Sequence, residues 1–408
     1  MSISNITSPR AVSIFTGAGG LDAGFERAGF SIVSALELHP KYCATIKENQ
    51  ARMIRIPGTN RTYFQNTIIF NDDICNMSGQ QLACNENEID CLIGGPPCQA
   101  FSSAGKQLSI FDHRGALVYE YLRVLRELNP KTFLFENVRG LVTARGKKNE
   151  PGEIIHELLE KFSDAGYNCR VALLNSAEFG SYQRRVRCFI IGSRIAAAPF
   201  FPLPQYAEKE RFSLVPEDCR KKWHTLGEFL EKYADLDVTE WTRPTVKLEK
   251  MLAVIPAGSG IKSVGRVEAT RPGGHWGYRQ GTFIADLNKP ARTVTGSTSQ
   301  DWIRLEDGTL RRLTLLEVTR LQGFPDNWCF CGSKAERFQQ VGNAVPSVFG
   351  EVLGKTLADY VTGGFMLYPE YNEMTIPQEI EENIRYTKYD NKKNGAYRVK
   401  TKWTNTIC

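Results

Sequence analysis

Ala11-Val12-Ser13-Ile14-Phe15-Thr16-Gly17-Ala18-Gly19-Gly20-Leu21-Asp22-Ala23-Gly24-Phe25 reads as a short apolar strand, a glycine turn and the opening of a helix. Glycines in such a turn let the backbone approach a ligand closely, and a helix N-terminus favours a carboxylate or phosphate. By itself the pattern is weak, because nicotinamide sites and plain tight turns share it. The same alternation continues downstream. Further strands are expected at Ile32–Leu36, Thr67–Phe70, Asp90–Ile93, Thr132–Phe135, Arg170–Leu174 and Val186–Ile191. Amphipathic stretches such as Leu117–Leu128 and Glu153–Phe162 lie between them. Repeated strand–helix alternation predicts an α/β fold with a doubly wound, mostly parallel sheet.

In such a sheet, chemistry collects outside the carboxyl ends of the strands. Glu37 ends the second strand about 20 residues after the glycine turn, where a carboxylate can bind ribose hydroxyls. Asp73 follows the third, placed to meet an adenine amino group or the methionine end of a cofactor. Beyond the fourth comes Gly94-Gly95-Pro96-Pro97-Cys98-Gln99. A lone cysteine is ordinarily a small buried hydrophobe. One held on a loop stiffened by glycine and proline reads instead as a nucleophile. Phe135-Glu136-Asn137-Val138 ends the next strand, and Gln183-Arg184-Arg185-Val186-Arg187 opens a late one. A thiol, a carboxyl and a guanidinium would then converge on one crevice as a covalent acid–base centre.

Bulk properties are compatible with this. The chain has 408 residues, enough for two domains, with 42 % hydrophobic and 24 % charged residues, the balance of an ordinary globular protein. No apolar run approaches the roughly 18 residues that would span a bilayer, so no membrane partner is expected. The first residues lack a secretory pattern, which predicts a cytoplasmic, nucleoid-associated protein. Eleven cysteines without a Cys-x-x-Cys pair suggest neither a disulfide framework nor a metal site. The net charge of +6 suits a polyanionic partner without proving one.

Taken in order, these motifs resemble the DNA cytosine-5 methyltransferases. The resemblance spans about residues 10–350 and includes Arg312-Leu313-Thr314 leading to Glu317, Arg320-Leu321-Gln322-Gly323-Phe324-Pro325, and Gln340-Val341-Gly342-Asn343-Ala344-Val345-Pro346. It implies S-adenosylmethionine as cofactor, no metal, and double-stranded DNA as substrate. Cys98 would be the nucleophile and Glu136 the group holding the cytosine ring. Arg187, and more weakly Arg185, would hold the base carbonyl or order Glu136. Phe15, Gly17, Gly19, Leu21, Glu37, Asp73, Ile74, Pro96, Leu117, Asn343 and Val345 would hold the cofactor. The target base must leave the duplex stack, and the span 100–113 is the expected closing loop.

Four segments are expected: a catalytic, cofactor-binding domain (1–199), a DNA-reading region (200–334), a returning segment (335–365) and a polar tail (366–408). Within Lys262–Arg292, six basic residues face two acidic ones, with Gly273-Gly274-His275-Trp276-Gly277-Tyr278 among them. That mixture suits phosphate and groove contacts. Gln99, Ser102, Arg271, His275, Trp276, Arg279 and Thr293 are the expected DNA contacts. A monomer acting on DNA, with a cognate restriction endonuclease as companion, completes the expectation. A transfer RNA substrate is an alternative, but the Cys-Phe-Thr motif of that branch is missing. An inactive DNA-binding relative would not need Cys98, Glu136 and the arginine motif intact. An amino-methyltransferase would carry an Asp/Asn/Ser-Pro-Pro-aromatic motif in place of Pro96-Pro97-Cys98. The segment 50–66 is longer than the family pattern, and its role is not legible. The tail reads equally as an appended helix or as a loose arm.

Overall fold

The computed structural model describes residues 8–97, 116–208, 221–234, 238–261, 282–368 and 376–392. Cys98, Gln99, Ser102, the loop 100–113, Arg271, His275, Trp276 and Arg279 lie outside the described residues.

All seven expected strands form: β1 (Arg10–Ile14), β2 (Ser31–Leu36), β3 (Ile68–Phe70), β4 (Cys91–Gly94), β5 (Thr132–Val138), β6 (Asn168–Asn175) and β7 (Val186–Ser193). They make one sheet in the order β3-β2-β1-β4-β5-β7-β6. β7 alone runs against the direction of the other six. The short link from β6 to β7, residues 176–185, explains the reversal. It holds no crossover helix, and a tight link can join only antiparallel strands.

The period-two alternation of the central strands sends side chains to two separate cores. Val12, Ile14, Leu92, Phe133 and Phe135 face one, together with helices α4 (Ala116–Leu128) and α5 (Glu153–Asp164). Ala11, Ile93, Leu134 and Ile191 face the other, with α1 (Gly20–Arg27) and the late helix α10 (Ser347–Val361). Helices on both faces of a mostly parallel sheet are the doubly wound arrangement predicted. α1 and α10 meet nearly backbone to backbone. A Cβ on Gly24 would lie 2.5 Å from the Glu351 amide nitrogen, so only glycine fits there.

The remaining elements of this half are α2 (Pro40–Ala51) and α3 (Gly79–Ala83). The long segment after α2 is packed rather than looped out. Ile54, Ile56, Tyr63 and Phe64 are buried beside Trp328, whose ring meets Tyr63 edge-on at 5.5 Å. The Phe64 amide donates to both Glu26 oxygens, at 2.9 and 3.0 Å.

Residues 200–334 begin with the strand pair β8 (Tyr206–Ala207) and β9 (Lys221–Lys222), then α6 (Leu226–Lys232) and α7 (Val246–Ala253). A small sheet follows, β10 (Ser259–Gly260), β11 (Phe283–Ile284), β12 (Trp302–Arg304) and β13 (Leu310–Arg312). After it, α8 (Leu315–Leu321) and α9 (Lys334–Asn343) lead into α10. The Arg311–Glu317 pair ties β13 to α8 through two bonds of 2.8 Å in a buried setting. Removing one partner from such a pair leaves an uncompensated charge, at a cost of about 3–5 kcal/mol.

The polar tail carries a helix. α11 (Gln378–Lys392) buries Ile380 and Ile384 in the first core, against Leu141, Val142, Ile154 and Ile155.

Candidate active site

The glycine turn after β1 has the strained backbone of a ligand cradle. Phe15 sits at φ +56°, where a side chain is rarely tolerated, and Gly17 and Gly19 at +63° and +84°. Strain of this kind gathers at binding sites. A Cβ on Gly17 would meet nothing within 4 Å, so the turn opens onto free space. Glu37 stands over that space. Its Oε2 accepts the Gly17 amide and its Oε1 the His39 amide, each at 2.8 Å. Burial raises its proton affinity, and the His39 and Gly17 amides oppose that rise. His39 stacks on Tyr42 at 4.6 Å, and the Asn343 side-chain amide reaches the Tyr42 hydroxyl at 3.4 Å. The returning segment presses on the same turn, since a Cβ on Gly20 would lie 2.5 Å from the Val345 carbonyl oxygen. Gly17, Glu37, Asn343 and Val345 thus share one rim, although more than 300 residues of sequence separate its ends.

The other expected cofactor residues sit in α1, after β3, beyond β4 and at the start of α4. Leu21 is buried in α1. Asp73 accepts the Cys75 amide at 3.0 Å, capping a single turn that buries Ile74. Leu117 is half-buried at the start of α4, and Pro96 is buried just beyond β4. Sequence reasoning missed His39, Tyr42 and Asp22. Asp22 is fully buried in the first turn of α1, and neither carboxyl oxygen finds a hydrogen-bond partner among the described residues. Burial pushes its carboxyl up to about 7, against the weaker pull of the Ser13 hydroxyl and its own amide.

The second group lies at the ends of β4 and β5, neighbours in the sheet. Glu136 is 8 % exposed, and its Oε1 lies 3.0 Å from Arg187 Nε on β7. Burial raises the Glu136 proton affinity, while Arg187 and then Arg185 pull it down. Its other oxygen lies against the strand β4 exit: a Cβ on Gly95 would be 2.5 Å from Oε2. The Asn137 side chain donates to the Pro96 carbonyl at 3.3 Å and accepts the Val138 amide at 2.9 Å. Carboxylate, guanidinium and the Gly95-Pro96 backbone therefore form one unit, two residues before Cys98 in sequence.

Arg185, which also pulls on Glu136, is bonded to other segments. It is buried, and it donates to the carbonyls of Val294 at 2.9 Å and Gly342 at 3.0 Å. Gln183 works beside it, accepting the Val294 amide at 2.7 Å and donating to Gln322 at 2.8 Å. The Thr293 hydroxyl donates to the Arg184 carbonyl at 2.9 Å. The arginine motif thus joins the small-sheet region and the returning segment to β7, beside the Glu136–Arg187 pair. A cavity of about 250 Å³ opens at this seam, lined by Arg292, Thr293, Thr295, Ser299 and Asp301 among others.

The chain resembles known proteins over most of its length. The model of the C-5 cytosine-specific DNA methylase family matches residues 10–359. The chain is 30 % identical over 359 residues to the Type II methyltransferase M1.HphI of Haemophilus parahaemolyticus, covering 85 % of this chain and 86 % of that protein. It is 32 % identical over 376 residues to the Type II methyltransferase M.Sau96I of Staphylococcus aureus, covering 88 % and 78 %. In fold it resembles the crystal structure of the S. pombe Dnmt2 methyltransferase. That match has a TM-score of 0.57 at 15 % identity and covers 86 % of this chain and 97 % of that one.

Proposed function

The chain belongs to the C-5 cytosine-specific DNA methylase family, and from that membership we propose how its own residues carry the reaction. It is a DNA cytosine-5 methyltransferase of the restriction-modification type. The open turn at Gly17, capped by the Glu37 carboxylate, fits S-adenosylmethionine. When bound, this cofactor supplies an electrophilic methyl group. Phe15, Gly17, Gly19 and Leu21 would line its methionine and adenine side, and Glu37 would contact the ribose. Asp73 and Ile74 would meet the adenine, Pro96 would form the loop floor and Leu117 a further wall, and Asn343 and Val345 would close the pocket.

Carbon 5 of cytosine is a poor nucleophile. The Cys98 thiolate bonds to carbon 6, and the electron pair of the 5,6 double bond becomes available at carbon 5. Once carbon 5 has taken the methyl group, its proton leaves to a base. The carbon–sulfur bond then breaks and the double bond is restored. Glu136 holds the ring N3 and amino group while charge develops. Its raised proton affinity suits it to share a proton with N3, and Arg187 keeps the carboxyl oriented. Arg185 acts by anchoring the site to Val294 and Gly342 rather than by touching the base. The target cytosine is turned out of the duplex, at a cost of a few kcal/mol that protein contacts offset. Thr293 and the basic, glycine-rich stretch around Arg271, His275, Trp276 and Arg279, with Gln99 and Ser102, contact the DNA. A cognate endonuclease shares the recognition sequence.

The observation that carries this reading is the Glu136–Arg187 pair lodged against Gly95, three residues before Cys98. Duplex DNA containing 5-fluorocytosine tests it, because a carbon 5 fluorine cannot leave as a proton does. Wild-type enzyme with cofactor should form a complex with this DNA that survives denaturant. Cys98→Ala should form none and should lose methylation while still binding duplex. Methylation by Cys98→Ala at the wild-type rate would sink the covalent mechanism.

A further inference from the structure

The family match ends at residue 359, well before α11 begins at Gln378. Nothing in the reaction described so far calls for this helix, yet it is not a loose appendage. Ile380 is fully buried and Ile384 nearly so, in the same core as Leu141 and Val142. Ile384 also packs onto Gly152, the residue before α5: a Cβ on Gly152 would lie 2.7 Å from its Cδ1. Between the two isoleucines, on the buried side, stands Asn383. Its Oδ1 accepts Arg139 Nη2 at 2.7 Å, and its own amide donates to the Glu379 carbonyl at 2.8 Å. Arg139 comes directly after Glu136-Asn137-Val138 and opens the single turn 139–143 that continues β5. The carboxyl end of β5 is thus gripped from two sides. Inside the site, Glu136 is fixed between Arg187 and Gly95; outside it, Arg139 is held by α11.

We propose that Asn383 is a positioning residue for methyl transfer, holding Arg139 and through it the strand end that carries Glu136. The clearance at Gly95 makes the position of Glu136 unforgiving, since a methyl group on Gly95 would already strike its carboxylate. Misplacement of a reacting group by about 1 Å can cost as much as a hundredfold in rate. The inference rests on the reading of Glu136 as the group that holds the base.

The full-length enzyme tests it through single-turnover methyl transfer to duplex DNA. Asn383→Leu keeps the volume and removes the acceptor, whereas Asn383→Asp keeps an acceptor for Arg139. The leucine variant should transfer methyl roughly tenfold more slowly, with its KM for S-adenosylmethionine unchanged. The aspartate variant should recover most of that loss. If the leucine variant does not fold, Asn383→Ala replaces it in the same comparison. Wild-type transfer in the leucine variant overturns the proposal. So do equal losses in both variants that follow their melting temperatures, which would make α11 a scaffold only. Glu136→Gln, measured in parallel, separates the two readings. If it transfers methyl normally, the role of Glu136 itself is wrong, whatever Asn383 does.

Discussion

Replacing Asp22 by asparagine should change how stability depends on pH, and the size of the change follows from burial. The Asp22 carboxyl is fully buried without a hydrogen-bond partner among the described residues, and its proton affinity rises from the ordinary 3.8 to about 7. The native state therefore binds this proton more tightly than the unfolded chain does. Stability contributed by the protonated carboxyl is complete below about pH 4 and is lost as pH rises toward 7. The rise from 3.8 to about 7 corresponds to about 4 kcal/mol. Between pH 5 and 7 the loss should be about 2–3 kcal/mol. The amide introduced by Asp22→Asn carries no titrating proton. Glu26, one turn away, is itself pushed up to about 8 in part by the Asp22 charge, so the difference between the two proteins reports the coupled pair. Urea unfolding at pH 5, 6, 7 and 8 measures it. The variant should gain on the wild type steadily across the series and then level off above pH 7. Parallel curves, with a constant gap at every pH, would refute the argument, because Asp22 would then ionise in the folded protein as it does in water.

Two further outcomes test the rest of the site. Gly95→Ala places a methyl group 2.5 Å from Glu136 Oε2, so methyl transfer should fall at least tenfold while the melting temperature changes by only a few degrees. An alanine variant with full activity would mean that Glu136 is free to swing. Phe64→Ala removes a fully buried ring from the segment that covers Gly19 and should cost about 3–4 kcal/mol in denaturant unfolding. A loss below about 1 kcal/mol would show that this segment is only a surface loop.

The seven strands were legible because buried strands leave short apolar runs between turn residues, and each run appears within a few residues of its expected place. The antiparallel course of β7 was not, since direction depends on what lies between strands rather than on their composition. Ile54, Ile56, Tyr63 and Phe64 have no regular period, so nothing local marked the segment after α2 as core. The tail did carry a signal: Ile380 and Ile384 lie four residues apart, one helical turn, but among so many polar residues two apolar positions did not decide it. At the site, residue types pointed to Glu136 and Arg187 because charged groups at strand ends are expected to react. Arg185 carries the same signal, and only its carbonyl partners reveal that it joins segments. The roles of Asp22 and Gly95 depend on neighbours distant in sequence and have no local signature.

The backbone contact of α1 with α10 also governs how this protein comes into being. Gly24 emerges from the ribosome more than 300 residues before its partner Gly350. At about 5–20 residues per second, the nascent chain spends from roughly a quarter of a minute to a minute with α1 made and α10 not yet made. Through that interval one apolar face of the sheet lacks the cover of α10, and the cradle at Gly20 lacks the wall that Val345 provides. No stretch released early can assemble the pocket alone, so ribosome stalling before α10 leaves an aggregation-prone fragment rather than a weakened enzyme.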